Sequence, residues 1–399
     1  MESYVNFRKK ENLYPITIKN KKKYFLDMLN IEHSFSGIVG EGTIINSFIM
    51  EAAQLIINSI ELFEMGYFDC AYYSLRSAID VSSTMVYLID LPEEEKEKKL
   101  LAWKETREFP TQGRLIKELA SMGNIYKDMM EKMPDFFKNA KQLAEMLNKY
   151  VHKQGLQHFY ISRNHPLNQK KSRETFAQTY ENYLKKVIGI VAVMRLAADP
   201  FPILLMDKDI LYRCFDSITD PYTEEFADEY IGEEIIEQYK TTELYKGVYE
   251  AFINEEEKNE ATFNVMKHQY IDTTKKEEIL AQLHLLYQHD IVSVIIAFSC
   301  DKVIKLYTGN GLIMYFTEKN TRRTAHQWSG IDFHNFATSD EKYNQPYDEV
   351  FISVFQFRGE NFFVEHNDML NSCDIAQIEQ ELVLLETKLP KEKENTEEE

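Results

Sequence analysis

Ala71-Tyr72-Tyr73-Ser74-Leu75-Arg76-Ser77-Ala78-Ile79-Asp80 is the stretch on which the reading of the chain turns. Ala71, Leu75, Ala78 and Ile79 recur at three- and four-residue intervals, which lines them along one face of a helix, and Met85 and Val86 continue it. Arg76 and Asp80 stand four residues apart, one helical turn, so a charged pair is set into an otherwise apolar helix. Just before it, Met65-Gly66-Tyr67-Phe68-Asp69 reads as a glycine-containing turn with Asp69 as a candidate N-cap. Further upstream, Ile45, Phe48, Ile49, Ala52, Leu55, Ile56, Leu62 and Phe63 repeat the helical spacing, interrupted only by Ser59. Two apolar-faced helices joined by a short turn predict an antiparallel hairpin.

Leu91-Pro92 ends the second helix, because proline lacks a backbone donor and crowds the turn before it. Residues 93–133 read as shorter helical pieces around Pro110 and Gly113. Asp135 is then the expected cap of a long helix whose stripe is Phe136, Ala140, Leu143, Leu147 and Val151. That helix closes in Asn148-Lys149-Tyr150-Val151-His152-Lys153-Gln154-Gly155. Another starts near Ser172, carries Phe176, Tyr180, Tyr183, Leu184, Val187, Ile188 and Val191 on one face, and stops before Asp199-Pro200-Phe201-Pro202. Four long helices with such connections pack naturally as a bundle. Two prolines in three positions interrupt any continuous helix and mark the expected domain boundary. The chain is therefore divided into a basic, partly strand-like or irregular segment 1–40, a helical bundle 41–202, a second domain 203–388 and an acidic tail 389–399.

In the second domain, Glu224–Asn254 is acidic with Phe226, Tyr230, Ile235, Ile236, Tyr239 and Tyr245 as helix anchors. Further helices are expected over 274–289 and 291–307. Gly309-Asn310-Gly311 signals a turn before Leu312–Phe316, and Val350–Phe357 is rich in strand formers. Arg358-Gly359-Glu360 then leads into Asn361–Val364 as a hairpin, and Ile375, Ile378, Leu382 and Leu385 mark a last amphipathic helix. The expected fold class is mainly α: an antiparallel helical bundle followed by an α+β domain with a small sheet.

Composition narrows the function. With 399 residues and 44% hydrophobic content the chain builds a substantial core, more readily as two domains than one. Acids outnumber bases by 65 to 46, a net charge of −19, so the molecule as a whole repels polyanions. Any nucleic-acid site must be a local basic patch. Bases do gather at Arg8, Lys9, Lys10, Lys19, Lys21, Lys22 and Lys23, though charged ends are commonly solvated tails. Cys70, Cys214, Cys300 and Cys373 are dispersed without metal or redox spacing, which predicts reduced, buried thiols and a cytoplasmic location. The opening residues lack a sustained apolar run, and Val187–Ala198 is short and broken by Arg195, so neither a secretory signal nor a membrane span is expected.

The residues that can carry chemistry cluster at the end of the long third helix. His152 can shuttle a proton, with Arg76, Lys149 or Lys153 stabilising charge on a phosphate. Equally, it can be a polar residue closing a helix, placed well by the dipole. Arg76 and Asp80 can pair with each other, worth only about 0.2–0.5 kcal/mol on a helix surface, or Asp80 can orient His152 while Arg76 meets an anion. Asn148, Lys149, Lys153, His158, Tyr160 and Arg163 are candidate contacts to RNA or another anion, the aromatic ones by stacking on an unpaired base. Arg322-Arg323-Thr324-Ala325-His326-Gln327-Trp328 is a second basic-aromatic cluster. His284 and His289 are five apart and do not share a helix face for a metal, and Thr308-Gly309-Asn310-Gly311 lacks the lysine of a phosphate loop. Neither a metal nor a cofactor is expected.

Residues 40–200 resemble the HEPN superfamily of helical bundles found in toxin, antiviral and RNA-processing systems. The resemblance rests on Ala71–Asp80 and on Asn148-Lys149-Tyr150-Val151-His152, a little under half the chain. In active members an arginine precedes the histidine with four to six residues between them, and the pair cleaves RNA without metal. His152 matches the histidine, whereas Glu145, Met146 and Leu147 stand where the arginine would be. The resemblance implies a binding or regulatory module in a prokaryotic defence or toxin-related system, with single-stranded RNA or a nucleotide as ligand. Its alternatives are a metal-independent endoribonuclease using His152, Arg76 and Asp80, and a scaffold whose acidic second domain engages a protein partner. It also implies pairing of protomers through the motif helices. Light scattering of the purified chain at micromolar concentration is therefore expected to return twice the mass of one chain, and a monomeric mass would overturn that expectation.

Overall fold

The antiparallel hairpin is formed by α2 (Glu41–Glu64) and α3 (Phe68–Ile89), preceded by α1 (Lys21–Glu32). The computed structural model describes residues 15–37, 41–159, 161, 172–214, 219–319, 328–347 and 349–389, with positions 3 and 6. Gly66, at φ +85°, reverses the chain between the helices, and the N–H groups of Gly66 and Tyr67 donate back to the Phe63 and Leu62 carbonyls. Asp69 does not cap α3; it sits inside the first turn, one residue past Phe68, where the positive end of the helix favours it. The opening segment, expected to be strand-like or irregular, contains the helix α1, whose Tyr24, Met28 and Ile31 are buried at helical spacing.

Five more helices complete the bundle: α4 (Glu93–Lys104), α5 (Gln112–Met122), α6 (Ile125–Lys132), α7 (Pro134–Val151) and α8 (Arg173–Arg195). α6 is capped from a distance, since the N–H groups of Asn124, Ile125 and Tyr126 all donate to the Asp90 carboxylate at 2.9–3.0 Å. α7 begins one residue before the expected cap, with Pro134 in its first turn, where the missing donor costs nothing, and Asp135 just inside. Ser172 does cap α8, accepting from the Thr175 N–H.

Ser59, the one polar break in the α2 stripe, is fully buried and satisfied by the Ala71 carbonyl at 2.8 Å and the Tyr180 hydroxyl at 2.9 Å. Around it Phe63 stacks on Tyr180, with ring centres 3.9 Å apart, and Tyr72 stacks on Tyr150 at 4.2 Å. α2 over Gly42–Glu64, rather than the shorter run Val187–Ala198, is long and apolar enough to cross a membrane, and its Ala52, Ala53, Ile56, Ile60 and Phe63 are fully buried in this bundle.

The boundary is not at Pro200-Phe201-Pro202. The chain divides into Met1–Glu255 and Glu256–Glu399. The prolines make a tight turn, and the helices Glu224–Tyr230, Glu233–Tyr239 and Glu243–Ile253 bury their aromatic faces in the same core as the bundle. The Tyr239 hydroxyl donates to the Leu196 carbonyl at 2.9 Å and the Tyr230 hydroxyl to Asp27 at 2.5 Å. Glu233, Glu234 and Glu237 thus belong to the first unit, which corrects their assignment to a separate acidic domain.

The second unit runs α9 (Glu260–His268), β1 (Tyr270–Ile271), α10 (Gln288–Ser299), β2 (Val303–Thr308), β3 (Ile313–Thr317), α11 (Gly330–Thr338), β4 (Gln345–Tyr347), β5 (Val350–Phe357), β6 (Glu360–His366) and α12 (Ser372–Lys388), with a short helix Lys276–Ala281. Its sheet has the order β1-β3-β2-β6-β5-β4 and is antiparallel except for β1 beside β3. On one face Leu306, Phe355, Phe362 and Val364 join a core with Val292, Ile296, Ile378 and Leu382 of α10 and α12; on the other, Phe333 and Phe336 of α11 join Tyr307 and Phe363. The helix expected over 291–307 ends at Ser299, and Val303–Thr308 is a strand buried at every position. A continuous apolar run has no period to separate the two states. Cys214 and Cys300 are buried as expected, but Cys70 and Cys373 are exposed.

α8 crosses the Glu224–Tyr230 helix closely at Gly189, where a Cβ would lie 2.0 Å from the Tyr230 carbonyl oxygen. Gly189→Ala is expected to destabilise the protein by about 1–3 kcal/mol through forced backbone displacement. Urea unfolding should show a lower midpoint, and an unchanged midpoint would disprove this close approach.

Candidate functional site

The face of α7 turned toward α3 carries Phe137, Ala140, Ala144 and Asn148 at helical spacing. Ala140 and Ala144 are too small to fill the space between α3, α5, α6 and α7, and a cleft of about 740 Å³ opens there. Its wall is mainly apolar, built from Ile79, Ile116, Tyr126, Met130, Phe137 and Met194, with burial pushing the Tyr126 hydroxyl up to about 12. Arg76, Asp80 and Asn148 form its polar end, and the exposed Lys117, Lys138 and Lys141 also line it.

Arg76 and Asp80 pair with each other across one turn of α3, and Arg76 Nε also donates to Asn148 Oδ1 at 2.8 Å. Sequence reasoning thus singled out three residues that the structure joins in one network. The Arg76 hydrogen bonds run through Nε and Nη1, so Nη2 carries none among the described residues. Burial holds the Asp80 carboxyl above its ordinary value, against the opposing pull of the Arg76 guanidinium. The cleft therefore presents a guanidinium donor and a carboxylate acceptor side by side at the end of an apolar chamber.

His152 is elsewhere. It is the exposed residue closing α7, its backbone N–H donating to the Asn148 carbonyl at 2.8 Å, and it does not line the cleft. Among the described residues its side chain makes no hydrogen bond, and Asp80 faces Arg76 instead of His152. Lys153 folds back to pair with Asp69 and lies 5.6 Å from the Tyr73 ring centre. His158 is buried, donating from Nδ1 to the Gln154 carbonyl at 2.6 Å and meeting Tyr150 edge-on at 4.7 Å, so it is a packing residue of the turn. Lys149 is half-buried on α7. Tyr160 and Arg163 lie outside the described residues, as do Arg322, Arg323 and His326. The proposed trio of Arg76, Asp80 and His152 is therefore split into a joined pair and a separate histidine, because pairing within one helix turn holds Asp80 on Arg76.

Lys117, Lys138, Lys141, Ser83 and Tyr126 were missed. The available signal was the stripe Phe137-x-x-Ala140-x-x-x-Ala144-x-x-x-Asn148, in which small residues stand where a core helix ordinarily carries large ones. Among the described residues no group of three His, Cys, Asp or Glu side chains is placed to hold a metal ion. Comparisons of the chain with protein-family models, with curated proteins and with solved structures find no match.

Because folding raises the Asp80 carboxyl, its contribution to stability is fullest below the ordinary carboxylate value and is lost as pH rises through the folded one. The guanidinium is what holds that rise in check. Carboxyl carbon NMR is expected to show Asp80 titrating above ordinary aspartate in the parent and higher still in Arg76→Ala. A lower value in the variant would disprove the pairing.

Proposed function

We propose that the protein is a binding or regulatory module built on a HEPN-like bundle, and that its ligand occupies the cleft at Arg76, Asp80 and Asn148. The observation that carries this reading is the cleft itself: about 740 Å³, apolar along its length, with a donor and acceptor pair at one end and three lysines on its wall. That volume suits a ligand of nucleotide size. A planar body with a donor–acceptor edge would meet Arg76 and Asp80, and an anionic group would meet Lys117, Lys138 or Lys141. The net charge of −19 discourages long polyanions and favours a nucleotide, or the unpaired end of a short RNA, over an extended RNA tract. The HEPN resemblance supports a setting in prokaryotic defence or a toxin-related system.

The endoribonuclease reading needs Asp80 on His152 and Arg76 on the scissile phosphate. Pairing of Arg76 with Asp80 and Asn148 favours binding over cleavage. A fold alone does not decide between them, so the residues must.

Titration of isotope-labelled protein with the four common nucleoside monophosphates is expected to move the signals of Asn148 and Ala144 saturably. Ala144→Phe, which fills the cleft, should lose that response while remaining folded. Binding retained in Ala144→Phe would remove the cleft as the site, and no response to any of the four would remove the nucleotide class. In parallel, RNA incubated with EDTA should be cut no faster by the parent than by His152→Ala; cleavage lost only in the variant would establish the enzyme instead.

A further inference from the structure

We propose, resting on the nucleotide reading of the bundle cleft, that its ligand carries guanine, held by the Watson–Crick edge on Asp80 and Arg76. Among the described residues lining the cleft, Arg76, Lys117, Lys138 and Lys141 are basic and Asp80 is the one acid. A phosphate gains nothing from a carboxylate, so Asp80 must meet hydrogen-bond donors. Arg76 supplies one, from Nη1 to Oδ1, which leaves Asp80 Oδ2 without a hydrogen bond among the described residues. The side chain of Asp80 is 35% exposed against 12% for Arg76, so the carboxylate is the more open member of the pair. Burial disfavours its charge, and incoming N–H groups relieve that cost.

The neighbouring groups complete the pattern. Arg76 Nε donates to Asn148 Oδ1, while Arg76 Nη2 and Asn148 Nδ2 carry no hydrogen bond among the described residues. The polar end therefore offers a two-oxygen acceptor beside unused N–H donors. Tyr126, 4% exposed on the cleft wall, likewise has a hydroxyl with no partner among the described residues, a polar group in an apolar surface that a ligand would satisfy.

Of the four common bases, guanine places two donors side by side, N1–H and the N2 amino group, with the acceptor O6 next to them. A carboxylate accepts such a fork with both oxygens, and Oδ1 keeps a second lone pair beyond its bond to Arg76. O6 then takes an N–H from Arg76 or Asn148. Adenine and cytosine bring one amino group and uracil one ring N–H, so each leaves an Asp80 oxygen unmet. A site built around such an acceptor discriminates against a base that lacks the matching donor.

Calorimetric titration of the full chain with GMP, IMP, AMP, CMP and UMP tests this. IMP is GMP without the N2 amino group and is expected to bind about tenfold more weakly, the loss of one hydrogen bond to a charged group, with AMP, CMP and UMP also weaker than GMP. Asp80→Asn keeps the shape of the side chain but leaves a single acceptor oxygen, so the ratio of GMP to IMP affinity should fall to about one. Equal binding of GMP and IMP by the parent, tighter binding of AMP, or an unchanged ratio in Asp80→Asn would each overturn guanine while leaving the cleft a nucleotide site. Absence of binding by all five would instead remove the nucleotide reading, and guanine with it. Should the thermal midpoint show that Asp80→Asn does not fold, the comparison of GMP, IMP and AMP on the parent decides alone.

Discussion

The guanidinium of Arg195 is fully buried, and the arrangement of the first unit depends on how it is satisfied. Its Nε donates to the Ser34 carbonyl at 2.6 Å, Nη2 donates to the Phe35 carbonyl at 3.1 Å, and the group pairs with Asp199 at 3.1 Å. Asp199 in turn accepts from the Ser36 hydroxyl at 2.6 Å. An uncompensated charge in this position would cost several kcal/mol, on the order of 3–5 when one partner of such a pair is removed. The network therefore ties together the end of α8, the segment leading out of α1 and the proline turn at 200–202. With the turn held there, the chain doubles back, and the helices over 224–253 bury their tyrosines and phenylalanines against the bundle instead of starting a domain of their own.

Within that frame, the cleft exists because of what α7 lacks. Leu143, Leu147 and Tyr150 fill the core on one side of the helix, while Ala140 and Ala144 on the neighbouring stripe stop short. α5 and α6 roof the space because Asp90, at the end of α3, anchors three amide groups at the start of α6. A capping interaction thus does more than end a helix: it decides which apolar surfaces stand apart. The one place in the wall where charge enters, Arg76 with Asp80, is held by an intrahelical pair and by Asn148 from across the cleft. Each of the three limits the rotamers of the others, so the polar end is preorganised, which reduces the ordering cost of binding.

The same logic explains why the histidine stands apart. Just past the last residue of α7 the helix axis has carried His152 one turn beyond Asn148, past the edge of the core, and it is exposed. The turn that follows is fastened by other groups: Lys153 on Asp69 and Tyr73, and His158 packed on Tyr150. Residues that looked like phosphate contacts in the linear sequence thus serve as the clasp between α7 and the start of α3.

Periodicity alone determined the class of the fold. The stripes on α2, α3 and α8, the Gly66 turn, the strand-forming run Val350–Phe357 and the last amphipathic helix were all legible because local spacing and turn chemistry specify them. The pairing of Arg76 with Asp80 was legible for the same reason, being four residues apart on a helix. Three things were decided only by tertiary structure. The limit of the first unit lies at Glu255 because a buried arginine folds the chain back on itself, and no local rule encodes the partner of a buried charge. Val303–Thr308 is a strand because both its faces are covered, which erases the alternation that would have identified it. The cleft, finally, is a volume between helices, and volume depends on which small residues face one another across a distance that the order of residues along the chain does not contain.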